Sequence, residues 1–191
     1  MRRSNFLPLF VVLALAGCDQ FRANERMALA ILGSQCPVPA VLGDAVTVTK
    51  VRPGTPMSAM PDAANVVFTA EMSQPRLECE YDPRRTKLTV DVNFAVRATR
   101  GAAATAGDPP IDFFVAVVDV DNNVLVKKVY QAPSDLRGKH TGQWTQTVRS
   151  FAVPIEADKR PLDYEILTGF QLSPDELAYN RAPKPPQLRR P

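Results

Sequence analysis

The sequence has few of the residues from which catalytic and metal sites are usually built. It contains one histidine, three cysteines and one tryptophan among 191 residues. The single histidine, His140, excludes sites that need two or more imidazoles. No serine stands in the sequence context of a nucleophile elbow, which argues against that class of hydrolase. We therefore predict that the protein is not an enzyme and that it uses no metal and no cofactor.

Long apolar runs are also missing. The longest, Phe6–Ala16, has about half of the roughly 20 residues that a transmembrane helix requires, and it contains Pro8. Glycine is scarce too, with nine residues against eighteen prolines, while valine, alanine and threonine are abundant. This composition favours short extended segments over long helices. We predict a mostly β protein without a permanent membrane span.

The first residues have the order of an export signal. Arg2 and Arg3 precede the apolar run, and the small residues Ala16 and Gly17 stand directly before Cys18. The segment Leu15-Ala16-Gly17-Cys18 resembles the lipobox of bacterial lipoprotein precursors. The resemblance implies that residues 1–17 are a signal peptide, that Cys18 carries a diacylglycerol thioether, and that fatty acylation of the new amino terminus usually follows.

The same resemblance implies a location. A lipidated Cys18 would anchor the protein to a membrane of the cell envelope, facing the periplasm. Asp19 resembles the residue that retains some enterobacterial lipoproteins in the inner membrane, so it favours the inner over the outer membrane, and the choice stays open.

The net charge excludes one class of partner. Removal of residues 1–17 takes away two of the 23 basic residues and leaves 21 against 20 acidic residues, a net charge of about +1. No overall field attracts nucleic acid, so we predict no nucleic-acid partner.

The two remaining cysteines, Cys36 and Cys79, form an even pair in a chain that we expect to reach an oxidising compartment. A disulfide between them is the preferred prediction. In the chain-entropy model, closing a loop of this length stabilises a fold by about 4 kcal/mol. Two buried free thiols or a metal-binding pair are the alternatives.

Four segments follow from the pattern along the chain. After the signal peptide, residues 18–35 form a tether in which Asn24 could cap a helix ended by Gly33, lying on the membrane surface or packing on the domain. Residues 36–181 form one domain. Residues 182–191 contain four prolines and three basic residues and are predicted to be an extended tail.

Within the domain, alternating apolar and polar residues predict half-buried strands, and Ile111–Val120 is apolar on both faces. We predict an all-β fold, an antiparallel immunoglobulin-like sandwich of seven or eight strands with short helices at the tether and near the C-terminus. The predicted strands are Ala45–Val51, Asn65–Met72, Arg76–Tyr81, Thr86–Thr99, Ile111–Val120, Val124–Gln131, Gln146–Ile155 and Asp163–Leu172.

Local signals add turns and a helix. Residues 82–85 and 121–123 have the composition of hairpin turns. Asp119, Asp121 and Asn123 imitate the start of a calcium loop, but Val124 stands where that loop needs glycine, so a hairpin is preferred. Ser173 with Glu176 three residues later forms a capping box, which predicts a helix to about Asn180. The Gly101–Pro110 segment is predicted to be a loop that is too poor in apolar bulk to pack.

One loop carries the candidate binding residues. Arg137, Lys139, His140 and Trp144 would form a basic and aromatic cluster between strands, able to contact a sugar, phosphate or carboxylate. The alternative is that Trp144 covers the end of the core and His140 is a solvated loop residue. A third possibility, a carboxylate-dependent hydrolase, would use Asp112, Asp119 or Glu165.

These observations favour a binding, scaffold or assembly module that contacts another envelope protein. The preferred alternative is a lipoprotein that binds a small ligand or glycan through the Arg137–Trp144 loop. The sequence leaves the oligomeric state open.

Overall fold

Nine strands and one short helix make up the fold in the computed structural model, which describes residues 36–57, 61–82, 87–105, 110–133, 136, 138–156 and 158–183. The predicted signal peptide, the predicted tether with Cys18, and residues 184–191 lie outside the described residues. The strands are β1 (Val38–Val41), β2 (Thr47–Val51), β3 (Val66–Met72), β4 (Arg76–Tyr81), β5 (Leu88–Arg100), β6 (Ile111–Asp119), β7 (Val124–Ala132), β8 (Thr141–Val153) and β9 (Tyr164–Phe170), and the helix is α1 (Pro174–Arg181).

The strands form two sheets. Sheet A has the order β1-β9-β6-β7, in which β1 runs parallel to β9 and the other pairs are antiparallel. Sheet B is centred on β5, which pairs with β8 along one edge. Along its other edge β5 pairs first with β4 and then with β3, and β2 pairs with β3.

One buried apolar cluster draws side chains from both sheets, so the fold is β-sandwich-like. Its largest fully buried members include Phe68 of β3, Phe113 of β6, Phe151 of β8 and Phe170 of β9. The prediction of a mostly β chain is confirmed. The described residues form nine strands rather than seven or eight, and sheet A is mixed rather than antiparallel. Sequence periodicity missed β1 because four residues that include Pro39 are too few to show an alternation.

The two central strands differ as their sequences predict. In β5 every second residue from Leu88 to Ala98 is buried. In β6 both faces are buried: Phe113, Val115 and Val117 join the main core, while Phe114 and Ala116 pack with Ala45 in a second cluster on the outer face. This second cluster lies beside the 3-10 turn Gly43–Ala45 that precedes β2.

The Cys36–Cys79 disulfide is present, with 5.7 Å between the two Cα atoms. Cys36 stands two residues before β1 of sheet A, and Cys79 lies in β4 of sheet B. The bond therefore joins the two sheets covalently. It closes a sequence separation of 43 residues, for which the chain-entropy model gives a stabilisation of about 4 kcal/mol.

Helix α1 begins as the capping box predicts. The Ser173 hydroxyl accepts a hydrogen bond from Glu176 N at 3.2 Å, and Glu176 Oε2 accepts one from Ser173 N at 2.8 Å. Glu176 Oε1 also forms an ion pair with Lys50 Nζ of β2 at 2.7 Å. The amide of Asn180 donates to the carbonyl oxygens of Asp44 and Thr47, both at 2.8 Å. These contacts hold the helix against the edge of sheet B formed by β2.

Two predictions about loops are wrong. Strand β8 begins at Thr141, five residues before the predicted start, so residues 141–144 are strand rather than loop. The loop that begins at Gly101 does contribute to the core, because Ala103 is only 4% exposed. A backbone bend, in which Gly101 N donates to Val67 O and Ala103 N donates to Val66 O, brings this small side chain into the sandwich. No helix in the described part of the chain is long and apolar enough to cross a membrane.

Candidate functional site

The predicted basic and aromatic cluster is divided between a turn and a strand. Arg137 lies outside the described residues. Lys139 and His140 are exposed in the turn that precedes β8. Trp144 lies inside β8, where it pairs with Val96 of β5, and its half-buried side chain packs against the main core. The structure therefore does not bring Trp144 into one exposed site with Lys139 and His140.

The position of Trp144 follows from the alternation of side chains along a strand. Gly142, Trp144, Gln146 and Val148 share the face of β8 that meets the core, and the residues between them face outward. Within the described part of the chain, the indole Nε1 of Trp144 is the one buried side-chain nitrogen or oxygen without a hydrogen-bond partner. This placement corresponds to the alternative in which Trp144 covers the end of the core.

The outer face of sheet B carries a broader set of polar groups, which we call the polar face. Strand register places four threonines in one row across β2, β3, β5 and β8: Thr49, Thr69, Thr99 and Thr141. The next row contains Thr47, Glu71, Arg97 and Gln143. Neighbours in a row are about 4.8 Å apart, which is the spacing of strands in a sheet. The remaining members nearby are Arg76, Glu78, Asn93, Ala95, Thr145 and Thr147.

Two depressions lie on the polar face. The larger, of about 430 Å³, lies where β3 ends and β4 begins, and it is lined by Ser73, Gln74, Arg76, Glu78, Asn93, Phe94, Ala95 and Thr145. Two hydrogen bonds connect the residues of its rim: Ser73 N donates to Ala95 O and Ala95 N donates to Ser73 Oγ, both at 2.9 Å. The smaller, of about 280 Å³, is lined by residues of both rows and by Tyr179 of α1.

Most polar groups on this face have no protein partner. Among the described residues, the side chains of Glu71, Arg97, Thr69 and Thr99 make no hydrogen bond and no ion pair, whereas Thr147 donates to Asn93 Oδ1 at 2.7 Å. Positive and negative side chains alternate beside the depressions, with Glu71 opposite Arg97 in the pairing of β3 and β5. The face thus offers donors and acceptors to a ligand without a dominant charge.

The second polar region is an acidic cleft of about 230 Å³ at the β6–β7 turn. It is lined by Asp119, Val120, Asp121, Leu125, Glu156, Lys159, Asp163 and Tyr164. Hydrogen bonds from the side chain and backbone of Asn123 lower the pKa of Asp119, and bonds from Arg160 lower the pKa of Asp163. In the described chain no group of three or more His, Cys, Asp or Glu residues is placed to hold a metal ion.

The hairpin interpretation of residues 119–123 is confirmed. Asp119 Oδ1 accepts hydrogen bonds from Asp121 N at 2.9 Å and Asn123 N at 2.8 Å, and Asn122 has a φ of 62°. The Asp119 carboxylate therefore stabilises the turn by accepting hydrogen bonds from the turn's own backbone, and asparagine at position 122 tolerates the positive φ that the turn requires.

Two carboxylates of the hydrolase hypothesis, Asp112 and Asp119, lie far apart. Asp112 and Asp119 are at opposite ends of β6, and seven residues at about 3.4 Å each separate them by roughly 24 Å. Glycosidase carboxylates lie about 5 to 10 Å apart. Asp112 instead accepts a hydrogen bond from Gln131 Nε2 at 3.0 Å. Glu165 pairs with Val118 on the outer face of sheet A.

The alternation of residues in β2 and β3 predicts that Thr49 and Thr69 lie opposite the apolar residues of their strands, but a row across four strands depends on register between residues far apart in the chain. Alternation of threonine in β2 is the one local signal that could have pointed to it.

No known protein family and no curated protein matches this sequence. A solved structure, the variable (V) domain of the Streptococcus agalactiae AgI/II polypeptide BspA, aligns at 11% sequence identity and a TM-score of 0.22. The alignment covers 69% of this chain and 76% of that chain.

Proposed function

We propose that the protein is a lipid-anchored module of the bacterial cell envelope that binds or positions another envelope component through the polar face. The unpartnered polar side chains of this face, at two depressions on a rigid sheet, are the observation that carries the proposal. A binding surface built on strands keeps its groups in fixed positions, so less conformational entropy is lost when a partner binds. Lipidation of Cys18 would restrict the search for that partner to the membrane plane.

The proposal includes the finer features of the sequence analysis. The signal peptide, the lipidated Cys18, the periplasm-facing location and the preference for the inner membrane from Asp19 all belong to it. So does the immunoglobulin-like character of the sandwich, which the sharing of one core by two sheets supports at the level of architecture.

A glycan is the second candidate partner. Each threonine hydroxyl both donates and accepts a hydrogen bond, as a sugar hydroxyl does, and the balanced charges around the depressions suit a neutral ligand. This candidate moves from the Arg137–Trp144 loop to the polar face, because Trp144 packs inward. Lys139 and His140 remain close to the end of the threonine row at Thr141.

The test is crosslinking in living cells with a photoreactive residue at Thr69 or Thr99. We expect one defined envelope protein to crosslink at these positions and not at Val129, an exposed position on the outer face of sheet A that serves as the matched control. Crosslinks should decrease in the Cys18→Ser variant, which should also lose labelling by radioactive palmitate.

Three results would contradict parts of the proposal. Equal crosslinking at Val129 and Thr69 would show that the polar face is not the binding surface. Palmitate labelling that persists in the Cys18→Ser variant would show that Cys18 is not the lipid anchor. Binding of purified cell-wall glycan that is lost in Thr69→Ala with Thr99→Ala, with no protein crosslink, would replace the protein partner by a glycan.

A further inference from the structure

The sandwich has five strands with a free edge in the described chain, and four of them carry features that discourage pairing with another strand. Strand β1 has four residues and contains Pro39. Strand β2 is covered by α1 through Asn180. Strand β4 carries the Cys79 disulfide and three charged residues. Strand β7 contains Lys127 and Lys128. Short length, proline, covering elements and lysine are the usual protections of sheet edges.

Strand β8 is the exception. It has 13 residues, and its protection is confined to its second half, where Arg149 and the positive φ of Ser150 interrupt the regular strand. From Thr141 to Thr147 it contains no charge and no proline. Within the described residues, no strand pairs with its outer edge. This half of β8 is therefore open to strand addition.

The register identifies the free backbone groups. Arg100 N donates to His140 O at 2.8 Å, so even-numbered residues at this end of β8 direct their backbone groups toward β5. Because these groups alternate along an antiparallel strand, Thr141, Gln143, Thr145 and Thr147 direct theirs to the free edge. A second strand could form backbone hydrogen bonds with these four residues.

We propose that a second copy of this chain adds antiparallel along β8, around a two-fold axis at Trp144. Trp144 is the central residue of the uncharged stretch Thr141–Thr147, so this register places that stretch opposite itself, and within it no like charges are opposed. Just beyond it, Lys139 in the turn of one copy comes level with Arg149 of the other copy, where Ser150 interrupts the regular strand. The same pairing through β7 would bring its lysines together. A symmetric contact of this kind buries the same surface on both copies and closes the assembly at a dimer.

This register explains the composition of the strand. Thr141 meets Thr147 of the second copy and Gln143 meets Thr145 of the second copy, all on the outer side. The two Trp144 side chains face each other at a position without mutual hydrogen bonds, where cross-strand side chains lie closest. The two polar faces then become one continuous sheet surface. The pairing does not depend on lipidation or on the ligand of the polar face.

The experiment measures the mass of the purified, lipidated full-length protein in detergent by light scattering. Trp144 is the single tryptophan, so its fluorescence reports on this contact directly. We expect a dimer whose Trp144 emission shifts to shorter wavelength as concentration rises. Thr145→Pro removes an N–H on the free edge and leaves the bonds between β5 and β8 intact, so it should give a monomer without the shift. Thr145→Val is the matched control and should remain a dimer.

Failure of Thr145→Pro to fold would be recognised by circular dichroism. In that case Thr145→Lys, which adds a charge at the edge and keeps the backbone donor, should give the monomer. A monomer at all concentrations of the wild-type protein overturns the proposal. So does a dimer that persists in folded Thr145→Pro and in Thr145→Lys, or a monomer that gains mass only with a different envelope protein.

Discussion

The outer faces of the two sheets differ in a way that describes how this sandwich is built. On sheet A, Phe114 and Ala116 of the central strand β6 are buried on the outer side in a cluster with Ala45. On sheet B, the outward residues of the central strand β5 are polar or half-buried, from Thr89 to Thr99. The central strand of sheet A is covered on both sides, although the edge strand β7 exposes Val129 on the outer face, whereas sheet B meets solvent along its outer side.

The difference teaches where recognition can take place. A face beneath other parts of the chain stabilises the fold, because each square ångström of apolar surface removed from water contributes about 25 cal/mol. Apart from Thr49, which is only 8% exposed, the residues of the polar face are partly or fully exposed, so they contribute little to stability and are available for contacts with a partner. Three experiments on the folded protein, in order of expected effect, test this contrast.

The largest effect is expected from a carboxylate placed on each outer face. Ala116 of β6 is 3% exposed, and Ala116→Glu would bury an unpaired charge, lowering the free energy of unfolding by about 4 kcal/mol. Ala95→Glu is the matched variant on β5, where the side chain borders a depression and can reach water, so the loss should stay below about 1 kcal/mol. Urea unfolding at neutral pH measures both, and similar losses would show that the two outer faces are equivalent.

A smaller effect is expected at the start of α1, which contacts β2 and the turn beside the covered face. Ser173→Ala removes the hydroxyl that accepts from Glu176 N and should cost about 1 kcal/mol. Hydrogen exchange should become faster in the helix and in the Gly43–Ala45 turn, to which Asn180 is bonded. Ser173→Asp keeps a capping acceptor and should behave like the wild type. If hydrogen exchange at the Gly43–Ala45 turn is unchanged in Ser173→Ala, the helix does not stabilise the turn beside the covered face.

The smallest effect is a pH dependence located at the end of sheet A. Bonds from Asn123 lower the pKa of Asp119 below its ordinary 3.8, so the folded protein binds this proton less tightly than the unfolded chain. The contribution to stability is present above pH 3.8 and is lost as the pH falls below it. Asp119→Asn should therefore show a shallower loss of stability in acid than the wild type.

Acid unfolding followed by circular dichroism measures this difference. Asp121→Asn is the control, because the Asp121 carboxylate accepts no hydrogen bond within the described structure. Equal acid dependence in the Asp119→Asn variant and the wild type would show that the turn does not contribute.

Local patterns predicted much of the fold. The period of two in β5 and the apolar character of both faces of β6 were visible in the sequence, and the structure confirms both. The capping box of α1 and the Cys36–Cys79 bond were predicted for the same reason, since each depends on a few residues with strong chemical preferences. Signals of this kind do not require knowledge of distant parts of the chain.

The candidate site was predicted less well. The interval from Arg137 to Trp144 has the composition of a loop, but residues from Thr141 onward extend β8 because β5 offers a full-length partner. That pairing turns Trp144 toward the core and places Thr141 at the end of the threonine row. The preference of a polar segment for a loop conformation is weak, and the hydrogen bonds that a long neighbouring strand offers outweigh it.

The sequence alone determined the strands with clear alternation, the helix start and the hairpin at Asn122, because each depends on local preferences. It also determined the cysteine pair, because only two cysteines remain besides Cys18. Tertiary structure decided which strands are neighbours, and through register it decided that Thr49, Thr69, Thr99 and Thr141 share a row. It also decided that, among the strands of the described residues, none pairs with the outer edge of β8. The physical reason is that hydrogen bonds between strands join residues far apart in the chain, and the choice among possible pairings depends on how all the apolar faces are buried together.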